Sequence, residues 1–257
     1  MRLLSVEGLH KSFGGVVAAR NVTFAVEAGT LLAVIGPNGA GKSTIFNMLG
    51  GQLVPDSGRI MLAGADITGL APRRIWRLGV TRTFQVAQTF VSMTVAENVQ
   101  MALISRQDRT RAWWPGARGL YRAEALNLLD RVGMGADADR PSSELSYGDV
   151  KRVELAIALA GAPKLLLMDE PTAGMAPKER AQLMQLVHDI ARKSRLGVLF
   201  TEHDMDAVFA HADRILVLVR GEIVAAGRPE EVRADARVRE VYLGAAHGLA
   251  RARRSAG

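Results

Sequence analysis

The sequence predicts an α/β fold: a mixed, largely parallel sheet, with an N-terminal antiparallel β region and an inserted α-helical subdomain. Three observations carry that expectation. Short apolar runs (Leu31–Ile35, Leu165–Met168, Val198–Thr201) alternate with segments of helical spacing. The first run leads directly into Gly36-Pro37-Asn38-Gly39-Ala40-Gly41-Lys42-Ser43 and then Thr44–Leu49, so strand, glycine loop and helix follow one another. A helical insertion from about residue 86 to 158 interrupts the sheet, so the two lobes are discontinuous in sequence.

Taken in order, Leu4–Leu9, Val16–Ala19 and Val22–Val26 read as short strands, punctuated by Gly14-Gly15 and Glu27-Ala28-Gly29. After the glycine loop and its helix, Pro55-Asp56-Ser57-Gly58 is a turn and Arg59–Ala63 a strand. Pro72 opens a short helix to Leu78, and Val80–Gln85 is extended. Thr94-Val95-Ala96-Glu97 is a capping box for a helix to about Ile104. Ser105–Gly119 is polar and arginine-rich around Trp113-Trp114. Helices are expected at Arg122–Arg131 and Val150–Ala160, a strand at Lys164–Asp169 and a helix at Pro177–Lys193. Then come the strand Val198–Thr201, the helix Asp204–Ala212 and a strand pair at Ile215–Val219 and Glu222–Ala226. No internal repeat is evident.

The bulk properties exclude several classes. A chain of 257 residues with 48% hydrophobic and 23% charged content is globular, not disordered. With no cysteine, neither a disulfide framework nor a thiolate metal site is possible. Met1–Phe13 lacks a signal-peptide pattern, and the apolar runs are far too short to cross a bilayer, so a membrane connection is expected only through a partner protein. The net charge of +7 and pI near 10.2 come from scattered arginines, with one local cluster at Arg251-Ala252-Arg253-Arg254. Without an aromatic-interleaved basic stripe, no nucleic-acid partner is expected; the charge reads as solvated surface favouring an anionic membrane face.

The chemistry starts at the glycine loop. Its backbone N–H groups can curl around an anion, and the helix start adds partial positive charge. Lys42 is expected to reach the outer phosphates of a nucleoside triphosphate, and the Ser43 hydroxyl to join a magnesium shell. A second motif, Leu165-Leu166-Leu167-Met168-Asp169-Glu170, is a buried strand ending in two carboxylates where α/β sheets bind ligands. Asp169 is placed to hold magnesium, and Glu170 to orient and deprotonate the water that attacks the γ-phosphate. The third motif, Leu145-Ser146-Tyr147-Gly148-Asp149, precedes the helix Val150–Ala160. Ser146 reads as its N-cap, with Asp149 at the return position of a capping box, and the helix start is a second anion site.

Two such sites in one chain find an explanation in a resemblance. Gly36–Ser43, Gln85, Leu145–Asp149, Leu165–Glu170, Thr172–Met175 and His203 occur in the order found in the ATP-binding-cassette ATPases, and the likeness covers roughly residues 3 to 243. It implies a phosphate-loop ATPase core with ATP and Mg2+ as cofactors. It further implies that Phe13 stacks on adenine, that Gln85 is a magnesium ligand and γ-phosphate sensor, and that His203 contacts the γ-phosphate and completes hydrolysis. The nucleotide set is then Phe13, Gly36, Pro37, Asn38, Gly39, Ala40, Gly41, Lys42, Ser43, Thr44 and Gln85, with Ser146, Tyr147, Gly148 and Asp149. The metal set is Ser43, Gln85 and Asp169, and the catalytic pair is Glu170 and His203.

The resemblance also implies a head-to-tail dimer, with itself or a paralogue, in which the loop of one subunit meets Ser146–Asp149 of the other. Its expected domain is 1–244, with core 1–85 and 159–226 and helical subdomain 86–158; 227–257 would be a C-terminal helical extension and basic tail. Met93–Val99, the tyrosine of Leu145-Ser146-Tyr147-Gly148, Ala173–Pro177 and Val241-Tyr242-Leu243-Gly244 look like the branched-chain amino acid importers, whose pattern the urea-import and lipopolysaccharide-export ATPases largely share. Such a subunit sits on the cytoplasmic face of the inner (plasma) membrane, bound to permease subunits and, through them, to a solute-binding protein. The permease would dock beside Gln85 and the helix after Thr94. A soluble cassette ATPase working on nucleic acid typically has a long coiled-coil insertion or two cassettes, and neither is present. One departure stands out. The family usually has a neutral or variable residue where this chain has Asp149, and a carboxylate there should weaken ATP-driven dimerisation.

Overall fold

A strand buried on both faces has no polar side, and β3 (Leu31–Ile35) is of that kind, with all five residues buried. In the computed structural model, which describes residues 2–83, 89–106 and 119–240, it lies inside a six-stranded sheet. The other strands of that sheet are β6 (Val80–Thr83), β7 (Leu165–Asp169), β8 (Gly197–Thr201), β9 (Arg214–Val219) and β10 (Glu222–Gly227). The order is β10-β9-β3-β8-β7-β6, parallel from β9 to β6, with β10 antiparallel to β9. All the parallel strands therefore end at one edge, which carries Ile35, Thr83, Asp169 and Thr201.

Alternation across the pleat divides the interior into two cores. Leu31, Ala33, Ile35, Leu166, Met168, Val198 and Phe200 face one, and Leu32, Val34, Leu165, Leu167 and Leu199 the other. The second core is closed by an antiparallel sheet of order β2-β1-β4-β5: β1 (Arg2–Phe13), β2 (Val16–Glu27), β4 (Ser57–Leu62) and β5 (Ala65–Asp66). Between the sheets lie Ile45, Phe46, Met48 and Leu49 of α1 (Lys42–Leu49). The first core is covered by α6 (Pro177–Ser194), α7 (Met205–His211) and a group of three helices. These three are α3 (Val95–Arg106), α4 (Arg122–Arg131) and α5 (Tyr147–Ala160), which pack through Val99, Leu103, Leu129, Val153 and Ala156. Two further short helices are α2 (Pro72–Leu78) and α8 (Pro229–Ala234).

Several expectations are corrected in detail. Val16–Ala19 and Val22–Val26 are one strand, because Asn21 takes a left-handed φ of 50° and bulges the ladder without ending it. Strand β1 extends beyond Leu4–Leu9 on both sides, and β4 begins at Ser57, inside the expected turn. The helix expected from Val150 begins at Tyr147, immediately after the Ser146 cap. The Thr94 capping box forms: Glu97 N–H donates to Thr94 Oγ1 (3.2 Å) and Thr94 N–H to Glu97 Oε2 (2.9 Å). Gln85, Trp113-Trp114, Val241–Gly244 and Arg251–Arg254 lie outside the described residues.

Candidate nucleotide site

The loop between β3 and α1 is shaped by glycines that no other residue can replace. A Cβ on Gly36 (φ 154°) would sit 2.1 Å from the Leu218 carbonyl oxygen, and one on Gly41 (φ 106°) 2.1 Å from that of Ala18. The loop is also tied to the β9–β10 turn, where Gly221 N–H donates to Ala40 O at 2.9 Å. Lys42 folds back along the loop and donates to Gly36 O (2.6 Å) and Pro37 O (3.2 Å), while Ser43 is exposed in the first turn of α1. No side chain caps this helix, so its first N–H groups face outward. Burial pushes the Lys42 ammonium below its ordinary pKa, and Glu170 and Asp169 pull it partly back.

The neighbouring strand ends bring three more groups to this edge. Asp169 is held on both oxygens: Thr201 Oγ1 donates to Oδ1 at 2.7 Å and Arg82 Nη2 to Oδ2 at 2.9 Å. Arg82 is itself fixed by Asn47 of α1 at 2.7 Å. Glu170 adopts a left-handed φ of 49°, a conformation that costs a non-glycine residue and turns its side chain away from the strand direction. Its N–H donates to Thr201 O and Thr201 Oγ1, both at 3.1 Å. Its Oε1 then lies 2.8 Å from His203 Nε2. The sequence motifs for Asp169, Glu170 and His203 are thus brought together at the loop. Phe13 ends β1 half exposed, with the Lys11 ammonium 5.6 Å from its ring centre; Asp56 clamps that strand end by accepting from Lys11 Nζ (2.6 Å) and Ser12 N–H (2.7 Å).

Ser146–Asp149 stands apart: among the described residues, no hydrogen bond or ion pair joins it to Gly36–Ser43. Asp149 was expected to reach back to the Ser146 N–H. Instead the Ser146 hydroxyl donates to Asp149 Oδ2 at 2.7 Å and accepts from Asp149 N–H at 3.2 Å, so the pair closes on itself. Tyr147 is exposed, beside Gly174 and with the Lys151 ammonium 5.5 Å from its ring centre; Gly148 is buried near Glu179.

Sequence reasoning gave no individual role to Arg82, Thr201, Glu202, Arg180 or Thr172, the last named only within Thr172–Met175, and these residues brace the segments that carry Asp169, Glu170 and His203. The only signal was their adjacency to the motifs: Arg82 three residues before Gln85, Glu202 one before His203. As to metal, among the described residues no grouping of three or more His, Asp or Glu can hold an ion. The oxygen donors Ser43 and Asp169 fit a hard cation that takes most of its shell from water and phosphate.

Glycine loop, uncapped helix start, paired carboxylates and adjacent histidine define a phosphate-loop ATPase site at the carboxyl edge of a parallel sheet. Comparison with known proteins narrows this. A family model described as ABC transporter matches residues 19–173, and one described as branched-chain amino acid ATP-binding cassette transporter matches residues 222–248. The high-affinity branched-chain amino acid transport ATP-binding protein LivG of Salmonella typhimurium is 39% identical over 252 residues, covering 95% of this chain and 98% of its own length. BraF of Pseudomonas aeruginosa, of the same description, is 37% identical with the same coverage. The ADP conformation of MJ1267, an ATP-binding cassette of an ABC transporter, matches with a TM-score of 0.85 at 33% identity, over 95% of this chain and 99% of that one. A dimeric cassette in a post-hydrolysis state with ADP and Pi matches at 0.73 and 25% identity, over 88% of this chain and 99% of that one. The chain belongs to the ABC transporter family, as one of its ATP-binding cassettes.

Proposed function

We propose that this ATPase energises import of branched-chain or related amino acids through permease subunits that it does not itself contain. Three things support the solute class: the match of residues 222–248 to the branched-chain model, the branched-chain amino acid transport for which LivG and BraF are named, and their coverage of nearly the whole chain. The observation that carries the chemistry is the 2.8 Å approach of His203 Nε2 to Glu170 Oε1 just past the ends of β8 and β7, on the same sheet edge as the glycine loop.

In this reading the phosphates lie on the N–H groups of Gly36–Thr44, Lys42 swings from its loop carbonyls to the outer phosphates, and Phe13 stacks on the adenine. Magnesium, held through Ser43 and Asp169 with Gln85 as a further ligand, would neutralise charge on the phosphates. Glu170 orients the attacking water and takes its proton on a carboxylate oxygen, and His203 fixes that carboxylate and contacts the γ-phosphate. Ser146–Asp149 of a second subunit, identical or paralogous, completes each site from the other side. Helices α3–α5 form a lobe that moves as ATP closes the dimer.

A groove of about 560 Å3 lined by Gln52, Arg73, Trp76, Arg82, Ser105 and Glu154 is where the permease would insert. Among the described residues no helix is long and apolar enough to cross a membrane, and attachment at the cytoplasmic face through the permease follows from this reading. The test is Glu170→Gln. Phosphate release should fall at least about hundredfold while ATP still binds, because the base is lost and the shape kept. Normal turnover would remove Glu170 from its role. Leucine uptake by vesicles carrying the assembled transporter decides the solute class.

A further inference from the structure

The segment after Glu170 and the segment around His203 are stitched together by groups that the reading above leaves unused. Glu202 is 5% exposed, and no ion pair neutralises it among those described. Its Oε1 accepts from both the N–H (2.9 Å) and the hydroxyl (2.6 Å) of Thr172, and its Oε2 accepts from the His203 N–H at 3.3 Å. On the far side, Arg180 of α6 donates to Met175 O at 3.1 Å and pairs with Asp204, whose carboxylate also caps α7. With the Glu170 N–H on Thr201, residues 170–172 are bonded to residues 201–202 at two successive points, and Arg180 bridges Met175 to Asp204.

We infer that Glu202 is a positioning residue for ATP hydrolysis: it locks the peptide of His203 to Thr172, so that the His203 ring and the Glu170 carboxylate keep one geometry while the site opens and closes. The inference rests on His203 acting in hydrolysis and goes beyond it. The chemistry of the position requires a carboxylate. Three donors converge on Glu202, and an ionised carboxylate is acceptor-only. Glutamine would turn an N–H toward Thr172 or toward the His203 N–H, setting donor against donor in a buried place. Charge-assisted bonds also make the lock stiffer than a neutral one. Displacement of a reacting group by about 1 Å can cost as much as hundredfold in rate, so loss of the lock should act on turnover and not on nucleotide affinity.

The experiment uses the purified full-length chain, with steady-state phosphate release, equilibrium binding of a fluorescent ATP analogue and thermal midpoints for each variant. Glu202→Gln should lower kcat about tenfold or more with KM for ATP and analogue affinity within about twofold of the parent. Thr172→Val should lose about three- to tenfold, and Thr172→Ser, which keeps both donors, should recover most of it. Combined with His203→Ala, Glu202→Gln should cost no further rate, because its effect runs through His203. If Glu202→Gln is unstable, the Thr172 pair decides: equal rates for the valine and serine variants overturn the proposal. Parental turnover in Glu202→Gln, or a full multiplicative loss on top of His203→Ala, also overturns it. Parental turnover in His203→Ala would instead remove the role of His203 itself.

Discussion

Two helix starts of this molecule, those of α1 and α5, both read as anion sites in the sequence and differ in structure. At α1 no side chain caps the helix, Gly41 holds a left-handed φ of 106°, and the loop is fixed through its backbone to the β9–β10 turn. At α5 the Ser146 hydroxyl is engaged twice by Asp149, once as donor and once as acceptor. One start is left open, with no side chain across it. The other is closed on its own side chains, and in the proposed dimer Ser146 must be released before it can donate to a phosphate. The difference teaches that the glycine loop is preorganised by its backbone, and that under the proposed function the second wall becomes available only at a cost.

That contrast breaks most visibly at the loop. Gly41→Ala places a Cβ against the Ala18 carbonyl, so ATP affinity should fall at least about hundredfold by calorimetry, with the fold retained by the rest of the sheet. Binding within a fewfold of the parent would show that the loop is not rigid. Ser146→Ala removes the α5 cap and should lower stability by about 1 kcal/mol in denaturant unfolding. It should leave ATP binding by the single chain unchanged and reduce dimer-dependent hydrolysis. A smaller effect is expected for Asp149→Gln. With the Ser146 hydroxyl freed and a negative charge removed, ATP-driven dimerisation should strengthen about two- to fivefold; unchanged affinity and rate would discard the closed-cap account. The smallest effect concerns pH. Because burial depresses the Lys42 pKa and a bound phosphate favours its charged form, ATP affinity should decline as pH rises through the free-state value, beginning below the ordinary lysine range. Proton uptake on alkaline binding measures it.

Much of this arrangement was legible in the sequence because glycines and apolar runs act locally. Leu31–Ile35 followed by Gly36–Ser43 reads as a buried strand entering a glycine loop, and the strand and the helix after the loop form there. Asp169 and Glu170 were readable as carboxylates at a strand end. What could not be read was long-range pairing: Arg82 meets Asp169 across 87 positions, and Thr172 meets Glu202 across 30. Neither spacing nor periodicity encodes those contacts. Asn21 was misread for another reason, since a polar residue with positive φ looks like a strand break and forms a bulge. At Asp149 the pattern gave the right partner and the wrong atom, because a hydroxyl one bond further out competes with the backbone N–H.

The central claim is that the two helix starts act on one nucleotide from different subunits. It is tested most directly by sedimentation of Glu170→Gln with saturating ATP and magnesium, alone and mixed with any paralogous subunit of its transporter. The account predicts a shift from 27.6 kDa to about twice that mass, abolished by adding Ser146→Arg to both partners. A chain that is saturated with ATP and stays at 27.6 kDa in every mixture would contradict it.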